Sequence, residues 1–123
     1  MTETALISIV DDDESMREAI QSLLRSVGFR TQMFASAEQF LQSDQIETTA
    51  CLILDVRMPG MSGLELQRQL KATQYRIPIV FVTAHGDAEA RSRALQEGAV
   101  EFLLKPFSEE ALLHAIQVAL PAQ

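Results

Sequence analysis

Short apolar runs alternate along this chain with longer amphipathic segments. Five runs are short enough and rich enough in branched side chains to predict strands, at about 5–10, 30–34, 51–55, 78–83 and 100–104. Four of them are almost continuously apolar, which is typical of strands buried on both faces of a parallel sheet. The second run contains Arg30, Thr31 and Gln32 and alternates, so it predicts an edge strand.

The segments between these runs have the spacing of amphipathic helices. Helices are predicted at about 14–27, from Ser36 onward, at about 62–73 and 88–97, and from Ser108 to about 119. Their ends carry capping signals: Gly28, Ser36 with Gln39, Ser62 with Glu65, Asp87, Gly98 and Ser108. The fourth helix has a thin apolar face of Ala90, Ala94 and Leu95, which predicts weak packing. Strictly alternating elements indicate an α/β fold with right-handed crossovers.

Polar side chains stand where four of the five apolar runs end. They are Asp11 with Asp12, Asp55, Thr83 and Lys105. In an open α/β sheet, ligands bind outside the carboxyl ends of the strands, so we expect these side chains to converge at one edge. Two like charges about 4 Å apart cost about 4 kcal/mol at an effective dielectric constant of about 20. Because one lysine faces three carboxylates, the pattern predicts a bound divalent cation.

The chemistry of this edge suits Mg²⁺, which prefers oxygen ligands. Asp12 and Asp55 are the expected ligands, and the backbone carbonyl of Arg57 is a candidate third. Asp55 is also a candidate nucleophile that would form an aspartyl phosphate. Lys105 would stabilise charge on the transferring group, and Thr83 would donate a hydrogen bond to it. The sequence contains no glycine-rich phosphate-binding motif that would offer another site.

Single residues of this set also have plainer interpretations. Asp11 and Asp12 could be an acidic turn that favours the start of a helix. Thr83 could be an ordinary strand residue. His85 is adjacent to the site in sequence and is either an exposed loop residue or a modulator of aspartyl-phosphate hydrolysis. The interpretation as one site depends on all of them occupying equivalent strand ends.

Composition narrows the class of protein. The 123 residues fit one domain, with residues 121–123 as a chain end or the start of a linker. A net charge of -7 argues against unaided nucleic-acid binding, which needs Lys and Arg to neutralise phosphates. The sequence lacks a signal peptide and an apolar stretch of about 20 residues, so we predict a cytoplasmic location without membrane association. Cys51 is predicted to be a buried core residue.

Four motifs occur in a fixed order along the chain. They are Ile9-Val10-Asp11-Asp12, Leu54-Asp55-x-x-Met58-Pro59-x-x-x-Gly63, Val82-Thr83-Ala84 and Lys105-Pro106-Phe107. In these motifs the chain resembles a two-component response regulator receiver domain. Other stretches, such as Arg57-Met58-Pro59 and Gly98-Ala99-Val100-Glu101-Phe102, are most similar to the FixJ/NarL side of that family. The resemblance implies a flavodoxin-like (βα)5 fold, a doubly wound sheet of five parallel strands in the order 2-1-3-4-5. It also implies that residues 1–120 form the receiver domain and that a C-terminal DNA-binding output domain lies outside this chain.

The resemblance assigns roles at the strand-end site. It implies that Asp55 accepts a phosphoryl group from a sensor histidine kinase. It further implies that Mg²⁺ is bound by Asp11 through water, by Asp12, by Asp55 and by the Arg57 carbonyl. Arg57 is large for its position, two residues past Asp55, and with His85 it is expected to modulate the rate of dephosphorylation.

The resemblance also implies a switch and an output surface. Thr83 and Phe102 match the switch pair of the family. The fourth helix, fifth strand and fifth helix match its signalling surface. We therefore expect phosphorylation to favour a homodimer through this surface and, in the parent protein, to control transcription.

Two other functions fit parts of the pattern. A Mg²⁺-dependent phosphatase would also use an aspartate nucleophile, but such enzymes commonly need a second acid where Arg57 stands, and a cap segment. An interaction module independent of phosphorylation would not need Asp12, Asp55 and Lys105 together. The chain is therefore expected to catalyse only its own phosphorylation and dephosphorylation.

Overall fold

The computed structural model describes residues 5–84 and 88–120. Strands and helices alternate through this part of the chain. They are β1 (Leu6–Val10), α1 (Glu14–Ser26), β2 (Arg30–Phe34), α2 (Ala37–Gln42), β3 (Thr49–Leu54), α3 (Gly63–Ala72), β4 (Ile79–Thr83), α4 (Ala88–Gln96), β5 (Glu101–Leu104) and α5 (Glu109–Ala119). The predicted bounds agree with the observed ones to within about two residues. The largest difference is at the start of β3, which begins at Thr49 instead of residue 51.

The strands form one parallel sheet in the order β2-β1-β3-β4-β5. This confirms the predicted flavodoxin-like fold class and its strand order. The polar strand β2 lies at one edge, where Arg30 and Gln32 are exposed. The pairing of β1 with both β2 and β3 places the carboxyl ends of these strands side by side. The side chains that follow them are thereby brought together.

The hydrophobic core lies in two layers, one on each face of the sheet. In β3, Leu52 and Leu54 face the layer under α2, α3 and α4, whereas Cys51 and Ile53 face the layer under α1 and α5. This alternation follows from the two-residue period of a strand. Cys51 is fully buried as predicted, and burial raises the pKa of its thiol to about 12, so it is a core residue that lacks thiolate reactivity.

Side-chain caps fix where the helices begin. Ser62 and Glu65 form the complete capping box predicted at the start of α3. At α2 the prediction was half right, because the side chain of Gln39 accepts from the backbone N–H of Ala35 instead of that of Ser36. Ser108 caps α5 as predicted, and Asp87 lies outside the described residues.

Helix α4 has a small buried face. Ala90 and Ala94 are its buried residues, and Leu95 is half-buried. A buried hydrogen bond from Nε2 of Gln67 on α3 to the carbonyl oxygen of Ala94, 3.0 Å long, adds a polar link between the two helices. A small apolar contact area contributes little stabilisation, so the small buried face of α4 agrees with the weak packing predicted for this helix. Within the described residues, the helices lack the length and apolar character needed to cross a membrane.

Candidate functional site

The polar residues at the strand ends lie together at one edge of the sheet. Asp11 directly follows β1, Asp55 follows β3, Thr83 ends β4, and Lys105 follows β5. Nζ of Lys105 lies 2.9 Å from Oδ2 of Asp11 and 3.8 Å from Oδ2 of Asp55. The Lys105–Pro106 peptide bond is cis. The convergence expected from the strand ends is therefore present in the structure.

The turn after β1 fixes the carboxylate of Asp11. Its Oδ1 accepts a hydrogen bond of 2.9 Å from the backbone N–H of Asp13, which itself caps α1. Nη1 of Arg17 donates a 2.7 Å hydrogen bond to the carbonyl oxygen of Asp11. This role of Arg17 could not be predicted from the sequence, because an arginine in the first turns of an amphipathic helix resembles an ordinary solvated residue.

The loop after β3 is held close to the backbone of Asp55. The backbone N–H of Gly63 donates to the carbonyl oxygen of Val56 at 2.9 Å. A Cβ atom on Gly63 would lie 2.1 Å from the carbonyl oxygen of Asp55, so only glycine fits at this point. This contact explains why a glycine begins α3. In the same loop Met58 is buried and Arg57 is exposed.

Burial and charge determine the protonation of Asp55. Asp11 and Thr83 are fully buried, Asp55 is nearly so, and Asp12 is exposed. Burial raises the pKa of Asp55 to about 6, and the charges of Asp11 and Asp12 act in the same direction. The positive charge of Lys105 and a hydrogen bond from Thr83 oppose this rise. Asp55 is therefore mainly ionised at neutral pH while remaining close to its titration point.

The carboxylates could hold a metal ion. Asp11, Asp12 and Asp55 each offer an oxygen, and these three oxygens lie within 4.8 Å of one another. Hard oxygen donors at this spacing fit Mg²⁺. Both oxygens of Asp11 already interact with other groups, one with Lys105 and the other with the N–H of Asp13. Both carboxylate oxygens of Asp11 thus have partners within the protein.

The predicted switch residues lie on neighbouring strands. Thr83 is fully buried beside Asp55, and Phe102 pairs in register with Phe81. The ring centroids of Phe81 and Phe102 are 5.9 Å apart, and Phe102 is only 5% exposed. The Phe102 ring thus lies within the core in this structure. His85, the predicted modulator, is outside the described residues.

Comparison with known proteins identifies the family. The family model for the response regulator receiver domain matches residues 7–117. The chain belongs to this family. The receiver domain is 50% identical over 116 residues to the response regulator protein TodT of Pseudomonas putida, with 94% of this chain and 51% of TodT covered. It is 40% identical over 120 residues to the transcriptional regulatory protein FixJ of Bradyrhizobium diazoefficiens, with 98% and 58% covered.

Solved structures show the same relationship. A low-resolution structure of the response regulator StyR has a TM-score of 0.89 and 52% identity, and covers 96% of this chain and 60% of that one. The crystal structure of FixJ-N has a TM-score of 0.86 and 36% identity, and covers 99% and 100%. The receiver domain spans about half the length of the full-length relatives named above. The family places the chain among the receiver domains of two-component systems, and one of the relatives named above is a transcriptional regulatory protein.

The raised pKa of Asp55 predicts a pH-dependent stability. A carboxyl whose pKa is higher in the folded state stabilises the fold fully below its ordinary pKa of 3.8, and this stabilisation is lost as the pH rises through about 6. The free energy of unfolding, measured with urea in the presence of a chelator, should therefore be higher at about pH 5 than at about pH 7.5. Asp55 alone should contribute about 1 kcal/mol to this difference. Asp55→Asn should lack this part of the pH dependence. If the free energy of unfolding of wild type and of Asp55→Asn depended on pH in the same way, the raised pKa of Asp55 would be contradicted.

Proposed function

We propose that Asp55 of this receiver domain accepts a phosphoryl group from a sensor histidine kinase. The observation that supports this most is the position of the Asp55 carboxylate, which ends a buried strand with Nζ of Lys105 3.8 Å away. Two further carboxylates lie close enough to share a cation with it. The relatives of the chain are response regulators, a class that works with sensor kinases in the cytoplasm.

The transfer step follows from the residues present. An oxygen of Asp55 attacks phosphorus, and the bond from phosphorus to the donor nitrogen or oxygen breaks, with the electron pair leaving on the donor. Lys105 already bridges Asp11 and Asp55, so a small rotation of its side chain turns the ammonium toward the incoming phosphoryl oxygens. Thr83, beside Asp55, donates a hydrogen bond to the same oxygens.

Mg²⁺ is the cofactor that we propose for this site. Asp12 and Asp55 would bind it directly, Asp11 through water, and Arg57 through its backbone carbonyl. When bound, the ion neutralises charge on the phosphoryl oxygens and on the carboxylates. The exposed position of Asp12 leaves it accessible to an ion from solvent. Arg57 and His85 would modulate how fast the phosphoryl group is lost.

The proposed switch couples Asp55 to the surface formed by α4, β5 and α5. A phosphoryl group on Asp55 would gain a charge-assisted hydrogen bond from Thr83, worth about 1.5–3 kcal/mol. Movement of Thr83 toward the phosphoryl group would leave space behind it for the ring of Phe102. The hydrogen bond would therefore favour the inward rotamer of Phe102, which is the one in the structure, over an outward one. Helix α4 has little buried surface and can adjust its position at low cost.

This coupling predicts a phosphorylation-dependent dimer. Beryllofluoride, which mimics the phosphoryl group, should promote a symmetric dimer through α4 and β5, with a contribution from α5. Sedimentation velocity at protein concentrations up to about 10⁻⁴ M measures the dimer. A Kd of about 10⁻⁴ M corresponds to a binding free energy of about -5.5 kcal/mol. Thr83→Ala should bind beryllofluoride but dimerise less. A monomer in both states would leave the proposed dimer without support.

In the parent protein the dimer would act through a C-terminal DNA-binding output domain. The full-length relatives are about twice the length covered here, and several are transcriptional regulators. The acidic domain itself, with a net charge of -7, is not expected to bind DNA. DNA binding would therefore belong to the output domain and depend on dimerisation of the receiver.

Incubation with acetyl phosphate and Mg²⁺, followed by intact-mass measurement, tests the proposed function. One stable phosphoryl adduct, which does not form when a chelator replaces Mg²⁺, is the expected result. Rapid turnover of the donor without a lasting adduct would indicate a phosphatase instead. An unchanged mass with no donor consumed would indicate an interaction module that does not use phosphate.

A further inference from the structure

Glu38, in the first turn of α2, contacts the loop between β3 and α3. Its Oε2 accepts a hydrogen bond of 2.9 Å from the backbone N–H of Met61. The two residues are 23 positions apart in the chain, and Glu38 is half-buried. The same loop begins at Asp55 and contains Arg57. A side chain from another helix is therefore attached to the segment that carries the proposed acceptor and one proposed metal ligand.

The helix that carries Glu38 is firmly anchored. Ala37 and Phe40, on either side of Glu38, are both fully buried. The rings of Phe34 and Phe40 pack edge to face with centroids 5.3 Å apart. These contacts fix the backbone of α2, so the hydrogen bond from Met61 to Glu38 ties the loop to an anchored helix.

The loop passes directly against this carboxylate. Gly60 has φ +78, a conformation that favours glycine, and a Cβ atom there would lie 2.6 Å from Oε2 of Glu38. The next residue, Met61, supplies the N–H that Glu38 accepts. The turn at Gly60 and the N–H of Met61 thus both lie against the same carboxylate.

Two further hydrogen-bonded contacts of the loop lie within the β3–α3 segment. Gly63 donates to the carbonyl oxygen of Val56, and Ser62 forms the capping box with Glu65. These bonds fix the start of α3 but do not reach Met58, Pro59 and Gly60 at the tip. Met58 is also buried in the core, and the hydrogen bond from Met61 to Glu38 adds a polar link between the tip and α2.

We propose that Glu38 is a positioning residue for phosphorylation, one that holds the β3–α3 loop so that the Arg57 carbonyl can bind Mg²⁺. This inference rests on the proposed function. Mg²⁺ demands near-ideal octahedral geometry at about 2.0–2.1 Å, so a ligand on a loosened loop binds it less well. Residues that orient a metal ligand commonly affect metal affinity by about ten- to hundredfold. Since Glu38 acts on the metal ligand only through the loop backbone, we expect an effect below this range, about threefold to tenfold.

Three variants separate the hydrogen bond from the charge of Glu38. Glu38→Ala removes both the acceptor and the negative charge. Glu38→Gln removes the charge but keeps an oxygen that can accept from Met61. Glu47→Ala removes an exposed carboxylate on the connection between α2 and β3 and serves as the matched control.

The measurements are the Mg²⁺ dissociation constant by calorimetry and the phosphorylation rate with acetyl phosphate as a function of Mg²⁺ concentration. Glu38→Ala should bind Mg²⁺ about threefold to tenfold more weakly, with a phosphorylation rate within about twofold of wild type once Mg²⁺ is saturating. Glu38→Gln and Glu47→Ala should behave as wild type. A loss of the fold would lower the saturated rate instead, which thermal melting of each variant would show.

The outcomes distinguish this inference from the proposed function. If wild type is phosphorylated and Glu38→Ala binds Mg²⁺ with unchanged affinity, the positioning role is overturned and the acceptor role stands. If Glu38→Gln is as weak as Glu38→Ala, the charge and not the hydrogen bond matters, and the positioning role is again overturned. If wild type takes no phosphoryl group, the proposed function fails, while weaker Mg²⁺ binding by Glu38→Ala alone still supports the role of Glu38 in the metal site.

Discussion

Asp55→Asn is expected to take no detectable phosphoryl group from acetyl phosphate under conditions in which the wild-type domain is phosphorylated. An amide is a poor nucleophile and a poorer Mg²⁺ ligand than a carboxylate, so both the attack and the metal site are affected. The substitution also removes a buried carboxyl whose pKa is raised by burial and by the charge of Asp11. The variant should therefore fold at least as well as wild type.

Asp13→Asn is the matched control for this prediction. It removes a carboxylate from the same run of three aspartates, but Asp13 caps α1 and is not among the carboxylates that share the proposed metal site. Asparagine caps a helix about as well as aspartate. Intact-mass measurement should show a full adduct on Asp13→Asn. An adduct of wild-type size on Asp55→Asn, formed at the wild-type rate, would contradict the assignment of the acceptor.

Gly63→Ala is expected to destabilise the domain by about 3 kcal/mol. The new Cβ would lie 2.1 Å from the carbonyl oxygen and 3.0 Å from the carbonyl carbon of Asp55, and 3.2 Å from Cγ of Leu54. The first two atoms are backbone at the end of a buried strand, so α3 would have to move away from β3. Urea unfolding measures the loss, and the displacement of Asp55 should also slow phosphorylation.

Gly98→Ala separates this collision from backbone strain. Gly98 has φ +104, and a Cβ there would meet nothing within 4 Å, so the substitution adds strain of about 1–2 kcal/mol without a clash. Gly63 shows the opposite combination, a clash without a left-handed backbone. If Gly63→Ala costs no more free energy of unfolding than Gly98→Ala, α3 does not pack against Asp55 as the structure shows.

The sequence allowed prediction of the sheet and of the convergence at its edge. Continuous apolar runs that end in a polar residue define buried parallel strands, and the topology of such a sheet brings their carboxyl ends together. That is why Asp11, Asp55 and Lys105 could be grouped although the lysine is 94 positions from Asp11. The start of β3 could not be found in this way. Thr49 is polar, and its burial depends on a 2.7 Å hydrogen bond between its hydroxyl and that of Ser8 on β1.

Contacts between helices and loops were also beyond prediction from the sequence. Glu38 in a first helical turn is explained by the helix dipole alone, so nothing in the pattern indicated Met61 as its partner. The pKa of Asp55 could not be predicted either, because it depends on how deeply the strand end is buried and on the distance to Asp11 and Lys105. Both properties arise from packing in three dimensions and have no periodic signature.

Chemical mapping of the modified residue determines whether Asp55 carries the phosphoryl group. The domain is phosphorylated with acetyl phosphate and Mg²⁺ and then treated with borohydride, which reduces the acyl phosphate of an aspartate to homoserine. Peptide sequencing by mass spectrometry then locates the homoserine. We expect homoserine at position 55 and unmodified aspartate at positions 11, 12 and 13. Homoserine at one of those three positions, with Asp55 unmodified, would contradict this expectation.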